Sequence, residues 1–302
     1  MVMAADTMNA GIDTKRKIAS ALCCDPSPDR DWPATTLAHA IPSSDVNLNA
    51  LFYAAAGAGP HPTVLLLHGL PGNEQNVDCA QSIRRAGWNV LTIHYRGSWG
   101  GPGIFSFGHC LEDAAAALSW LQAAGLRGDL RIDPHRIVII GHSMGGFVAA
   151  HTAAAEPEVI GTVLISGVDL GRAFGRGSKG DATNVDDNIG VSAGLHILTG
   201  ISPRSLAQEA NTKGECWRLT SYAARLADRP LLLITSDDGF ADNGIAVADA
   251  ATRCGGVTVS HAHLADDHSY SNSRIELQKL LLEWLASRCS APPKRHDAPE
   301  NA

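Results

Sequence analysis

The stretch Arg136-Ile137-Val138-Ile139-Ile140-Gly141-His142-Ser143-Met144-Gly145-Gly146-Phe147 decides how this chain is read. Its β-branched run, Ile137 to Ile140, has the composition of a strand buried on both faces. The Ala-rich segment from Phe147 to Ala155 follows at once as a helix. A strand that turns straight into a helix must hold the turn residue in strained backbone geometry, and small neighbours are needed for the two elements to approach. Ser143, between Gly141 and Gly145, meets both conditions, and such a turn lifts the serine hydroxyl above the end of a sheet. A plain glycine turn would account for the glycines but not for a serine at the tip.

At 302 residues the chain is long enough to bury one large core. Aliphatic side chains and Ala dominate the 45% hydrophobic content and aromatics make up 5%, which suits helices packed on a parallel sheet. The net charge of −7, with no Lys/Arg run longer than Lys15-Arg16-Lys17, argues against a nucleic-acid binder, which would normally show a basic stripe. Seven cysteines, at positions 23, 24, 79, 110, 216, 254 and 289, contain no Cys-x-x-Cys pair, so neither a zinc knuckle nor a disulfide framework is indicated. Cys110 and Cys254 fall in helical patterns, as small hydrophobes. This usage fits a reducing, cytoplasmic compartment. No apolar run approaches the roughly 18 residues of a membrane span. Lys15-Arg16-Lys17 precedes a short apolar run that Asp25 ends, a pattern expected of a mobile arm over 1–33, with a degenerate export signal as the alternative.

Outward from the serine the chain alternates strand and helix patterns. Thr36–Pro42 and Leu48–Ala54 read as an antiparallel edge hairpin, and Thr63–Leu67 as a fully buried strand. A helix to about Arg85, a strand over Trp88–Ile93 and a helix over His109–Ala124 lead to the serine turn. A strand at Val159–Ile165 follows it. From Gly167 to Arg229 the strand pattern lapses, and an insertion of this size is expected to be a lid over the site. Regularity returns with Pro230–Thr235, a helix near 241–253, the strand Val257–Leu264 and a last helix from about Arg274. Residues 290–302 read as a disordered tail. This alternation specifies a doubly wound, mostly parallel sheet of about eight strands, an α/β domain over 34–289.

A serine hydroxyl is a weak nucleophile until a base takes its proton, and the base needs an orienting carboxylate. After a serine turn of this kind the partners follow as acid, then histidine. Thr235-Ser236-Asp237-Asp238-Gly239 closes the strand after the insertion and offers two acids. Asp266-Asp267-His268-Ser269 precedes the final helix and offers the base. Two aspartates after a strand are also common turn formers. His261 and His263, with Asp267 and His268, could imitate a metal cluster, but their spacing is a weak signal, and they read as structural residues on one strand face. The developing negative charge needs backbone N–H donors. Met144 supplies one and Leu70, in His68-Gly69-Leu70-Pro71-Gly72, the other. His68 itself is read as a brace for that loop.

With these residues in view, the chain resembles the α/β-hydrolases, in their serine esterase and prolyl-oligopeptidase-like branch. The likeness runs from about Thr36 to Ser287. It rests on His68–Gly72, the loop His94-Tyr95-Arg96-Gly97-Ser98, Gly141–Gly145, Asp238 after its strand and Asp267-His268-Ser269. Thr235 stands where the family usually has the glycine of Gly-x-x-Asp, so Asp237 stays in play beside Asp238. The resemblance implies carboxylic ester hydrolysis of a small molecule by Ser143, Asp238 and His268 through an acyl-enzyme, without cofactor or metal. Peptidase or amidase chemistry is the main alternative and a non-catalytic binding protein the other. His142, Trp99 and Trp217 are candidate pocket residues. Leu195, Ile197, Leu198, Ile201 and Leu219 join Trp217 as candidates for an apolar wall, favouring hydrophobic esters.

Overall fold

A computed structural model describes residues 2–174, 194–256 and 258–289, and the side chains of residues 13–173, 194–256 and 258–288. Eight strands form one sheet in the order β1-β2-β4-β3-β5-β6-β7-β8. β1 (Thr35–Ser43) and β2 (Val46–Ala54) are the expected edge hairpin, and β2 also runs antiparallel to β4. The rest, β3 (His61–Leu67), β4 (Asn89–Ile93), β5 (Ile132–His142), β6 (Gly161–Ile165), β7 (Leu231–Ser236) and β8 (Val259–Leu264), are mutually parallel.

The strand period of two divides the apolar residues between two cores. Leu65, Leu67, Ile137 and Ile139 face α3 (Phe107–Leu126), α4 (Met144–Ala155) and α8 (Ala241–Arg253). Val64, Leu66, Val138 and Ile140 face α2 (Val77–Arg85) and the last helix, α9 (Arg274–Cys289). With helices on both faces the central strands can be apolar throughout, and all six residues of β7 are buried.

Two expectations change at this level. Residues Val2–Cys23 form a helix, α1, instead of a mobile arm. Ile18 and Ala21 are buried in the second core, and Arg85 Nε donates to the Ala21 carbonyl at 2.6 Å. The sequence hid this because the apolar run is short and, among the described side chains, just Ile18 and Ala21 are buried, with Leu22 packed beside them. Cys110 is buried as expected, but Cys254 is exposed just beyond α8.

The insertion between β6 and β7 is described at 167–174 and 194–229; its stretch 175–193 and the tail 290–302 lie outside the described residues. It contains α5 (Leu170–Phe174), α6 (Pro203–Lys213) and α7 (Ala223–Leu226). Residues 195–229 are built into the scaffold. Trp99 N–H donates to the Ile197 carbonyl, while Thr199 N–H donates to Gly97 and receives Phe105 N–H at its own carbonyl. Glu209 accepts from the Phe107 and Gly108 N–H groups at 2.9 and 2.8 Å, capping α3. Leu198, Trp217 and Leu219 are buried in the first core, with Leu195, Ile197 and Ile201 packed against it.

Candidate active site

β5 ends at His142 and α4 begins at Met144, so Ser143 is the entire connection. Its φ of 59° and ψ of −122° are unusual for a residue with a side chain, a strain of about 1–3 kcal/mol that the surroundings must hold. Three backbone bonds do so: Ser143 N–H donates to Ile165, and its carbonyl accepts from Gly146 and Val168. The flanking glycines are required by contact. A Cβ on Gly141 would lie 1.9 Å from the Gly145 carbonyl oxygen, and one on Gly145 would lie 2.3 Å from that of Leu67.

The loop after β3 folds onto this turn. A Cβ on Gly69 would come within 2.7 Å of Ser143 Cβ and 3.2 Å of its Oγ. Leu70 follows, half-buried against the core, and Met144 opens the helix with a first-turn N–H that has no intrahelical partner. His68 braces the loop as expected: its Nδ1–H donates to the Gly69 carbonyl at 2.7 Å, and burial lowers its pKa to about 4. Trp99 lies across the same loop, its Nε1–H on the Pro71 carbonyl at 3.1 Å and its ring exposed.

The two aspartates separate clearly. His268 Nδ1–H donates to Asp238 Oδ2 at 2.7 Å, and the Asp238 side chain is 1% exposed. Burial alone would raise the carboxyl pKa. Bonds from His268, the Ser166 hydroxyl and the Phe240 N–H outweigh it and hold Asp238 well below the ordinary carboxylate range. Asp237 points to the surface and accepts from His263 Nε2 at 3.1 Å. His261 and His263 both bond the Thr235 hydroxyl, at 2.8 and 2.9 Å, which makes them the structural pair expected on β8. Among the described residues no group of three or more His, Cys, Asp or Glu could hold a metal. Thr235 in the glycine position is accommodated by a glycine elsewhere: a Cβ on Gly244 of α8 would lie 2.7 Å from its methyl.

Two of the pocket candidates have different positions from those expected. His142 is buried, its ring centroid 4.9 Å from that of His268, and its Nε2–H donates to the His268 carbonyl at 2.8 Å. It therefore ties the serine turn to the histidine loop. Burial, with the nearby charge of His268, lowers its pKa to about 3, so it stays neutral. Trp217 is buried between Phe107 and Phe147, with centroids at 6.2 and 5.4 Å, and fastens the insertion to α3 and α4. An aromatic in an insertion reads alike as wall or anchor until its partners are known.

Sequence reasoning missed a supporting layer. The Tyr270 hydroxyl bonds Ser166 Oγ at 2.8 Å and donates to the Ile234 carbonyl at 3.2 Å, and Ser166 also bonds Ser236. This buried chain joins β6, β7 and the histidine loop behind Asp238. Arg274 fixes the other side of that loop, with bonds to Asp78, Asn76 and the Ser269 carbonyl. Tyr270 stands two residues after His268, a spacing that could have flagged it; nothing local in the sequence pairs Arg274 with Asp78.

A serine strained above a parallel sheet, with a carboxylate-bound histidine arriving after the last strand, completes the architecture. The chain is an α/β-hydrolase by fold. The α/β-hydrolase fold family matches residues 62–202. An uncharacterized protein of Mycobacterium tuberculosis is 32% identical over 113 residues, 37% of this chain and 38% of that protein. The chain thus spans well under two thirds of that relative's length. Among solved structures, the thermophilic carboxylesterase EstE1 from a metagenomic library superposes with a TM-score of 0.60 at 21% identity, over 95% of this chain and 98% of that one. Acylaminoacyl peptidase of Pyrococcus horikoshii also gives 0.60, at 17% identity, covering 88% of this chain and 43% of that one. The structural neighbours of this fold thus include both an esterase and a peptidase.

Proposed function

We propose that this α/β-hydrolase cleaves carboxylic esters of small molecules through Ser143, His268 and Asp238. His268, its Nδ1–H held by Asp238, takes the Ser143 proton at Nε2 as Oγ attacks the ester carbonyl. The N–H groups of Leu70 and Met144 stabilise the oxyanion. Collapse of the tetrahedral intermediate passes the proton to the departing alcohol and leaves an acyl-serine. Water, deprotonated by the same histidine, then releases the acid and restores Ser143. Asp238 stays ionised throughout, as its depressed pKa requires.

The observation that carries this reading is the 2.7 Å bond between His268 and the buried Asp238, with the same histidine's loop tied through His142 to the strained serine. The likeness to a carboxylesterase over nearly both whole chains favours ester substrates. The acylaminoacyl peptidase supplies the second reading, amide cleavage with the same groups. A panel of p-nitrophenyl esters of graded acyl length beside aminoacyl p-nitroanilides separates the two. Ester turnover with anilides slower by several orders of magnitude is expected, and the reverse order makes the chain a peptidase.

A further inference from the structure

Between α5 and α8 a cleft of about 250 Å³ opens, with Val168, Asp169, Arg172, Phe240, Asp242 and Asn243 on its walls. Two of these residues adjoin the proposed catalytic residues, one at the backbone of Ser143 and one at the ring of His268. Val168 N–H donates to the Ser143 carbonyl at 3.1 Å, and the Phe240 ring lies 5.3 Å from that of His268. The cleft is smaller than the roughly 300–1,000 Å³ of pockets for drug-sized ligands. It suits a short substituent better than a long alkyl chain.

Its charges are unequally committed. Asp169 is buried; its Oδ1 accepts from the Arg172 N–H at 2.8 Å and its Oδ2 faces Arg218 Nε at 3.4 Å. The Arg172 guanidinium is half-exposed and, among the described residues, makes two weak contacts, Asn243 Oδ1 at 3.3 Å and Asp242 Oδ2 at 3.9 Å. Asp242 is itself 79% exposed, so the pair is screened and contributes little. A guanidinium carries five N–H donors in a fork that matches a carboxylate. The larger groove on the other side of the histidine loop, about 480 Å³, holds Arg274, but Asp78, Asn76 and the Ser269 carbonyl use its donors. Of these two cations beside the site, Arg172 is the one with donors to spare among the described residues.

We propose that this cleft is a polar subsite and that the enzyme's substrates are short esters bearing a carboxylate, which Arg172 binds with Asn243 beside it while the scissile carbonyl meets Ser143. The proposal rests on the serine-hydrolase reading above and replaces the hydrophobic preference expected from the insertion's composition.

The test uses two matched pairs, so that the carboxylate sits on either side of the scissile bond: mono-p-nitrophenyl glutarate against p-nitrophenyl valerate, and 4-acetoxybenzoate against phenyl acetate. Arg172→Ala should lower kcat/KM for the carboxylate-bearing member of one pair by about tenfold or more, chiefly through KM, as expected for a lost charge-assisted bond. Its neutral partner should stay within about threefold. Asp242→Asn, which removes the competing carboxylate, should raise kcat/KM for the same anionic ester. Both side chains are half-exposed or more, and circular dichroism verifies that the variants fold. An anionic-to-neutral ratio unchanged by Arg172→Ala in both pairs overturns the subsite while leaving the hydrolase reading intact. A wild-type protein inactive on all four esters, or a Ser143→Ala variant with full activity, overturns the hydrolase reading and this proposal with it.

Discussion

At the scale of single residues, the choice between Asp237 and Asp238 shows what one position changes. Successive residues past the end of β7 point to opposite sides, so one aspartate meets the surface histidine His263 and the other meets His268. Replacing Asp238 with Asn keeps the shape but removes the charge that holds the Nδ1–H and that, in the mechanism we propose, stabilises the imidazolium. Turnover should fall by about 10³–10⁴-fold. Asp237→Asn only alters a turn and a solvent-exposed pair, and should cost less than about tenfold. Steady-state rates on a short p-nitrophenyl ester check both, and the opposite ranking moves the acid by one residue. In sequence Asp238 was preferred only through the family resemblance and Asp237 stayed in play, because side-chain direction beyond a strand end depends on the loop that follows.

At the scale of elements, the strands and helices were legible because burial on both faces leaves a strong mark. Thr63–Leu67, Pro230–Thr235 and the run before Ser143 fall within a residue or two of β3, β7 and the end of β5. The helix α1 was not legible, since just Ile18 and Ala21 of its residues from 13 onward are buried. The insertion was legible as a break in pattern but not as a structure, because the bonds of Ile197 and Thr199 to the loop at 97–105 are backbone bonds with no side-chain signature, and the partners of Glu209 and Trp217 are distant in sequence. The serine turn itself is the element under the tightest constraint. Gly141→Ala would press a methyl to 1.9 Å from a backbone oxygen, which cannot move without separating β5 from α4. This variant should be destabilised by several kcal/mol, in the severe range for single substitutions. A denaturant midpoint within error of the wild type would contradict the packing described here.

At the scale of the whole molecule, two buried neutral histidines tie the fold to pH. His68 and His142 have pKa values lowered to about 4 and about 3 by burial, against about 6.5 in an unfolded chain. Between those limits the unfolded state binds more protons, so stability rises with pH across that window and falls as acid is added. Asp238 adds to the loss once the pH drops below the ordinary carboxylate pKa, because its folded value is depressed. Thermal midpoints should therefore decline from about pH 6.5 towards pH 4, and His142→Gln should reduce that slope; an unchanged slope would mean that His142 is not held neutral. The fold, its two histidine braces and the Asp238 pair all converge on one hydroxyl. Mass spectrometry of the intact protein after reaction with a p-nitrophenyl alkylphosphonate measures that convergence directly. One phosphonyl adduct per chain, mapped to Ser143, absent in Ser143→Ala and formed far more slowly in His268→Ala, is the predicted result. An unmodified protein, or an adduct on any other residue that survives Ser143→Ala, would contradict the account.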